Sequence, residues 1–204
     1  IVVDSTTADS SSQTQQENRP AVTTTADVSQ VNDATRYGVF ADKAAGENDF
    51  ITLENNQLEL KISLKGGRVY SARLKDYTTH DSLPLILFSG DSTVFGFKFF
   101  TVDNKAVETN NLFFTPVSDE RSFNANQDAK TVSLRLDADS GRYIEYSYTL
   151  APDKYSVAFN VTFKNMQEIL PANQTSISLD WKMYVPQQEK GRTNEENYGT
   201  DIKY

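Results

Sequence analysis

From Phe50 onward, apolar and polar residues alternate with a period of two. Leu58, Leu60, Ile62 and Leu64 interleave with Glu59, Lys61, Ser63 and Lys65. Successive side chains of a strand point to opposite faces, so such a run has one apolar and one wet face. The alternation returns in Val132-Leu134-Leu136, in Val157-Phe159-Val161-Phe163 and in Ile177-Leu179-Trp181-Met183. Residues 143–150 predict a further strand, with Ile144, Tyr146, Tyr148 and Leu150 on one face. Residues 50–53, 69–74, 85–88 and 95–101 complete the set. Turn residues separate these runs: Asn55-Asn56, Gly66-Gly67, Gly90-Asp91, Asp139-Ser140-Gly141 and Pro152-Asp153. Strands at this spacing, each with one apolar face, predict antiparallel sheets packed face to face. No regular helical segments intervene, which argues against a parallel α/β sheet. Trp181 is in phase with Ile177, Leu179 and Met183 and is expected in the core.

The pattern is absent from residues 1–36. From Asp4 to Arg36 the chain is almost entirely Ser, Thr, Gln, Asn, Asp and Ala, and no aromatic residue precedes Tyr37. Such a segment cannot bury enough apolar surface to offset a backbone ordering cost of about 1–2 kcal/mol per residue. It is expected to be a flexible polar linker, with the folded domain spanning residues 37–204. Residues 37–45 predict a short helix closed by Gly46, weakened by Gly38. The end, residues 187–204, is polar and suggests a loop leading into a strand that starts near Asp201 and is cut short. A folded part of this size buries nearly 70 % of its unfolded surface and needs no covalent staple.

Composition narrows the classes of partner. Twenty basic and 28 acidic residues leave a net charge of −8. An acidic domain repels a phosphate backbone, which argues against nucleic acid, and it offers no basic patch for anionic headgroups. The chain has no cysteine, which removes disulfides, thiol nucleophiles and thiolate metal sites together. A single histidine, His80, excludes a multi-imidazole centre within one chain. No stretch approaches the roughly 20 apolar residues that span a bilayer.

Candidate chemistry is thin. His80 and Asp81 are adjacent, and neighbours on an extended chain point apart, so a solvated loop histidine is expected. Asp119-Glu120 and Glu195-Glu196 are adjacent carboxylates rather than a pair facing across a cleft. Asp137, Asp139 and Gly141 resemble a fragment of a calcium loop, but the position where that loop needs Glu is Tyr148, so a β-turn is expected. Asn160-Val161-Thr162 and Asn173-Gln174-Thr175 fit the N-glycosylation sequon, whose meaning depends on a eukaryotic secretory route. The aromatic residues could form a sugar or peptide platform, though most fall on the alternating apolar faces. No catalytic, cofactor or metal residue emerges.

Order and spacing carry a resemblance. The run Asn56-Gln57-Leu58-Glu59-Leu60-Lys61-Ile62-Ser63-Leu64-Lys65-Gly66-Gly67-Arg68-Val69 is followed by Leu74-Lys75-Asp76-Tyr77 and by Pro84-Leu85-Ile86-Leu87-Phe88. Tyr143-Ile144-Glu145-Tyr146, Tyr148-Thr149-Leu150 and the closing Glu189-Lys190-Gly191-Arg192 with Asn194-Glu195-Glu196-Asn197-Tyr198 belong to the same pattern. Together they resemble the first large periplasmic domain of the YidC/Oxa/Alb family of bacterial membrane protein insertases, in the form found in Bacteroidetes. The resemblance implies an all-β, antiparallel β-supersandwich of the galactose-mutarotase-like kind, with Lys65, Gly66 and Gly67 as a structural turn. It implies a non-catalytic, cofactor-free interaction module on the periplasmic side of the inner membrane, within a multi-pass protein. The implied partners are SecDF and SecYEG of the Sec translocon and nascent membrane proteins, with the membrane reached only through transmembrane helices outside this chain. It also implies that the fold continues beyond Tyr204. No partner-binding residue can be carried over. A carbohydrate-binding or mutarotase-like β-sandwich, or a secreted adhesin-like β-domain, remains as the alternative.

Overall fold

The computed structural model describes residues 33, 35–139, 141–188 and 190–191. The expected linker (all but residues 33, 35 and 36 of it), the Glu195-Glu196 pair and the strand expected near Asp201 lie outside the described residues. Residues 35–37 are α-helical and run into a 3-10 helix, Gly38–Lys43, where a short helix closed by Gly46 was expected. Gly38 has φ +56°, a left-handed backbone that interrupts right-handed winding at the junction of the two short turns. Phe40 is fully buried and packs edge-on against Phe99, which fixes this entry to the core.

Strands β1 (Phe50–Glu54), β2 (Leu58–Ser63), β3 (Val69–Thr78) and β4 (Pro84–Ser89) form an antiparallel meander. Next come β5 (Val94–Phe100), β6 (Ala106–Glu108), β7 (Thr115–Pro116) and β8 (Ser122–Asn124). The long strands β9 (Lys130–Asp139), β10 (Arg142–Leu150) and β11 (Val157–Lys164) precede β12 (Ser178–Lys182). Among the described residues three sheets result, with strand orders β4-β3-β2-β1-β8, β11-β10-β9-β7 and β12-β5-β6. Among the described residues pairing is antiparallel except for β8, which runs parallel to β1 through Thr52, Leu53 and Glu54. The architecture is an all-β sandwich.

Alternation becomes burial where two layers meet. Val132, Leu134 and Leu136 of β9 lie opposite Tyr148, Tyr146 and Ile144 of β10, and all six are buried. They share one cluster with Ile51 and Leu53 of β1, Leu58, Leu60 and Ile62 of β2, and Phe99 of β5. Fully burying such a side chain contributes about 1.5–3 kcal/mol relative to exposure. The opposite face of β9 and β10 is a polar ladder. Thr131 and Thr149 hydroxyls lie 2.7 Å apart, Ser133 and Ser147 hydroxyls 2.9 Å apart, and Arg135 Nε donates to Glu145 Oε2 at 2.6 Å.

The sheets are tied at their ends by buried polar groups. Asn55, fully buried, donates from Nδ2 to the Ala151 and Lys154 carbonyls, each at 2.8 Å. Its Oδ1 accepts from the backbone of Gln57 at 2.9 Å and Leu58 at 2.8 Å. The turn from β1 to β2 is thereby bolted to the connection between β10 and β11, and every polar atom of this amide is used.

One strand departs from expectation. Trp181 was expected in the core; it is 62 % exposed. The phase is right, because Leu179 and Trp181 pair with Phe97 and Phe95 on the inner face of their sheet. The departure arises because, among the described residues, the β12 side chains line an open apolar cleft rather than a filled core.

Candidate interaction surface

The Lys65-Gly66-Gly67 turn joins β2 to β3, and it is clamped rather than projecting. Gly66 (φ +79°) donates its N–H to the Leu112 carbonyl at 2.8 Å. A Cβ on Gly66 would meet the Asn110 carbonyl at 3.1 Å. Gly67 (φ +60°) lies under two rings, and a Cβ there would meet Phe114 and Tyr146 at 3.0 Å. The Tyr148 hydroxyl donates to the Gly67 carbonyl at 2.6 Å. Lys65 is exposed, with its ammonium 5.9 Å from the centre of the Phe113 ring. The buried Arg68 guanidinium then reaches the Gly90 carbonyl at 3.4 Å and Asp91 at 3.3 Å. Burial pushes the hydroxyl pKa of both Tyr146 and Tyr148 above that of an ordinary tyrosine. The Tyr146 hydroxyl sits 2.8 Å from Thr109 Oγ1.

The residues with candidate chemistry are scattered. His80 occupies the exposed tip of the hairpin joining β3 and β4, with Nδ1 3.4 Å from the Gln188 carbonyl oxygen. Asp81 beside it takes a hydrogen bond from the Thr79 hydroxyl, which holds its carboxyl below the usual aspartate value. Asp119 and Glu120 are exposed in the approach to β8. Asp139 is gripped by Arg142 across the turn from β9 to β10, where Gly141 takes φ +82°. That grip lowers the Asp139 pKa and raises that of Arg142. Asn160 points outward from β11, and Asn173 is exposed in the connection to β12. Among the described residues, no three His, Asp or Glu side chains gather as a metal site.

Sequence reasoning missed an apolar cleft of about 480 Å³ between the sheets. Its floor is Phe95 and Phe97 of β5 and Tyr148 of β10. One wall is Val157, Phe159 and Val161 of β11; the other is Leu179 and Trp181 of β12, with Met183 just beyond. Val69 and Phe88 close one end. Phe95 meets Phe159 at 5.1 Å and Trp181 at 5.9 Å between ring centres, both edge-on. Among the described residues that line it, Thr93 and Tyr148 bring the only hydroxyls, and that of Tyr148 is already bonded to Gly67. The signal for this cleft was present as the alternation around Trp181, but periodicity says which side chains share a face, not whether a layer covers them.

Beside the cleft, β4 is the outer strand of its sheet. Ile86 and Leu87 stand exposed on it, and Leu83 just before it. Gln188 Nε2 donates to the Ile86 carbonyl at 2.8 Å, so the segment leaving β12 runs to this edge. Unpaired strand edges that carry apolar side chains recruit further chain.

The model of the YidC periplasmic domain matches residues 50–200. Among similar proteins, the membrane protein insertase YidC of Azobacteroides pseudotrichonymphae is 38 % identical over 171 residues, covering 84 % of this chain and 27 % of that protein. The protein of the same name from Parabacteroides distasonis is 38 % identical over 164 residues, covering 80 % of this chain and 25 % of that protein. That of Porphyromonas gingivalis W83 is 37 % identical over 169 residues, covering 83 % and 26 % respectively. The matched region thus amounts to about a quarter of the length of these relatives.

Proposed function

This chain belongs to the family of YidC periplasmic domains, and from that premise we propose that it is a non-catalytic contact module of a bacterial membrane protein insertase. It sits on the periplasmic side of the inner membrane and is held there by membrane-spanning parts of a longer protein. Its partners are components of the Sec translocon, SecDF and SecYEG, and the clients are nascent membrane proteins handled by the whole insertase.

The observation that supports contact rather than chemistry is the outer strand β4. It is the outer strand of its sheet, with Leu83 58 % exposed just before it and Ile86 and Leu87 exposed on it. An edge of this kind adds a partner's backbone through hydrogen bonds and seats its side chains on exposed apolar groups. Insertion itself needs polar groups inside the bilayer, where their desolvation is costly and their position matters. Among the described residues no helix is long and apolar enough to cross a membrane.

The carbohydrate-binding alternative is not favoured. A sugar ring demands several directed polar partners, whereas the apolar cleft offers one hydroxyl not already donated to the backbone. The similar proteins named above are insertases.

The test is deletion of the β-domain from the full-length insertase, with a spacer in its place. Insertion of model clients and co-purification of Sec components are scored separately. Insertion should remain mostly intact while co-purification falls. Abolished insertion at normal membrane abundance would overturn the proposal.

A further inference from the structure

Two stretches far apart in the chain meet beside the cleft. Met183, just after β12, and Phe88 of β4 line it together. Gln188 then donates from Nε2 to the Ile86 carbonyl at 2.8 Å, and its own carbonyl oxygen lies 3.4 Å from His80 Nδ1 at the hairpin tip. Residues 183–188 are thereby laid from the cleft mouth to β4 and the loop before it. Their apolar side chains stand out in solvent. Tyr184 is 66 % and Val185 60 % exposed, with Leu83 and Trp181 similarly bare. Tyr184, Val185 and Leu83 line no part of the cleft; they protrude beside it.

The same surface carries no charge of its own. Residues 83–90 and 183–188 contain no Asp, Glu, Lys or Arg, in a chain where these make up 24 %. The described acids that flank the two stretches are engaged. Asp81 takes the Thr79 hydroxyl, Asp91 meets Arg68 at 3.3 Å, and Asp180 meets Lys98 at 3.3 Å and Lys182 at 3.6 Å. A net charge of −8 repels anionic lipid, and the repulsion is weakest where a face carries no charge. Trp and Tyr combine an apolar ring with a polar tip, which suits them to the boundary between headgroups and acyl chains. A face meant for a folded partner is bounded by a polar rim and crossed by about ten hydrogen bonds. The protruding side chains here offer only the Tyr184 hydroxyl and the Trp181 indole N–H.

We propose that Leu83, Trp181, Met183, Tyr184 and Val185 form a docking patch for the interfacial layer of a phospholipid bilayer. The apolar side chains enter the boundary between headgroups and acyl chains. The contact is additional to the membrane-spanning parts of the longer protein, and it rests on the reading of this domain as tethered at the inner membrane. Tethering keeps the lipid surface at high effective concentration, so a small patch suffices. The β4 backbone edge stays available to a protein partner, because the bilayer takes side chains only.

Trp181 is the single tryptophan of the chain and reports on the patch directly. The 204-residue chain is titrated with vesicles of phosphatidylethanolamine and phosphatidylglycerol, in low and in high salt. Its indole emission should shift to the blue, brominated acyl chains should quench it, and salt should reverse neither effect. Leu83→Asp and Val185→Asp should each weaken vesicle partitioning by about tenfold, the loss of one buried apolar side chain. Trp181 pairs with Phe95 near the start of β5, whereas Val102, 61 % exposed, follows its other end. Val102→Asp should therefore leave partitioning unchanged. An indole that vesicles neither shift nor quench would overturn the proposal, whatever the variants do, and leave the patch to a protein partner. Binding abolished by salt would overturn it as electrostatic. So would an indole already shielded from quencher without vesicles: shielding lost on dilution assigns the patch to a second copy, and shielding that persists assigns it to cover by the chain itself. No Sec component is present, so failure here leaves the contact-module reading to its own test.

Discussion

Gly67 shows how one position can be demanded twice. Its φ of +60° costs an ordinary side chain about 1–2 kcal/mol. A Cβ would also press on Phe114 and Tyr146 at 3.0 Å, and overpacking of a filled core adds about 1–3 kcal/mol. Gly141 has a similar φ of +82° but open space around it. If Lys65-Gly66-Gly67 is a structural turn, Gly67→Ala should lower the unfolding free energy by about 2–5 kcal/mol and Gly141→Ala by only about 1–2 kcal/mol. Urea denaturation of the two variants reads the difference. Asp139 offers a second residue-level check. Arg142 donates to it from Nε at 2.6 Å, and this hydrogen bond is the largest cause of its lowered pKa. A carboxylate whose folded pKa lies below its unfolded one stabilises the fold above the unfolded value. That contribution is lost as the pH falls from the ordinary aspartate range through the lowered folded pKa. Carboxyl carbon shifts followed by NMR should show Asp139 titrating below an ordinary aspartate, and Arg142→Ala should return it to the ordinary range.

At the scale of the element, β9 carries two neighbouring side chains with opposite burdens. Leu134 is fully buried opposite Tyr146. Leu134→Ala should cost about 2–5 kcal/mol, because a cavity remains among neighbours that cannot collapse into it. Arg135 faces solvent in the polar ladder, paired with Glu145 at 2.6 Å and stacked 4.3 Å from the Tyr143 ring centre. Arg135→Ala should cost at most about 1 kcal/mol, since screening and side-chain entropy consume most of an exposed ion pair. Thermal unfolding of the two variants checks the phase of the strand. A larger loss at Arg135 would place the core on the wrong face. The long strands were legible because alternation is a local property, visible without knowing the partner. Strands β6, β7 and β8, of three, two and three residues, were not. They are too short to show a period and exist because neighbouring strands offer them hydrogen bonds. The parallel pairing of β8 with β1 was equally hidden, since direction depends on the route taken by the intervening chain.

For the molecule as a whole, stability should grade from the doubly paired strands outward. Strands β2, β9 and β10 have neighbours on both sides, whereas β7 and β8 are short and lie at sheet edges. Amide hydrogen exchange should therefore be slowest in β2, β9 and β10 and fastest in β7 and β8. Protection in β8 equal to that in β10 would contradict the sheet order. From the residues alone came the all-β class, most strand positions, the two faces of each long strand and the likeness to an insertase domain. These follow from short-range rules: the pleat sends side chains alternately up and down, and glycine tolerates turns that other residues do not. The tertiary structure decided which faces are covered. It put Asn55 at a junction between sheets and the Gly66-Gly67 turn beneath aromatic rings. It left Trp181 at the mouth of an apolar cleft. Burial is a property of two surfaces that meet, and residues far apart in the chain meet only through the fold.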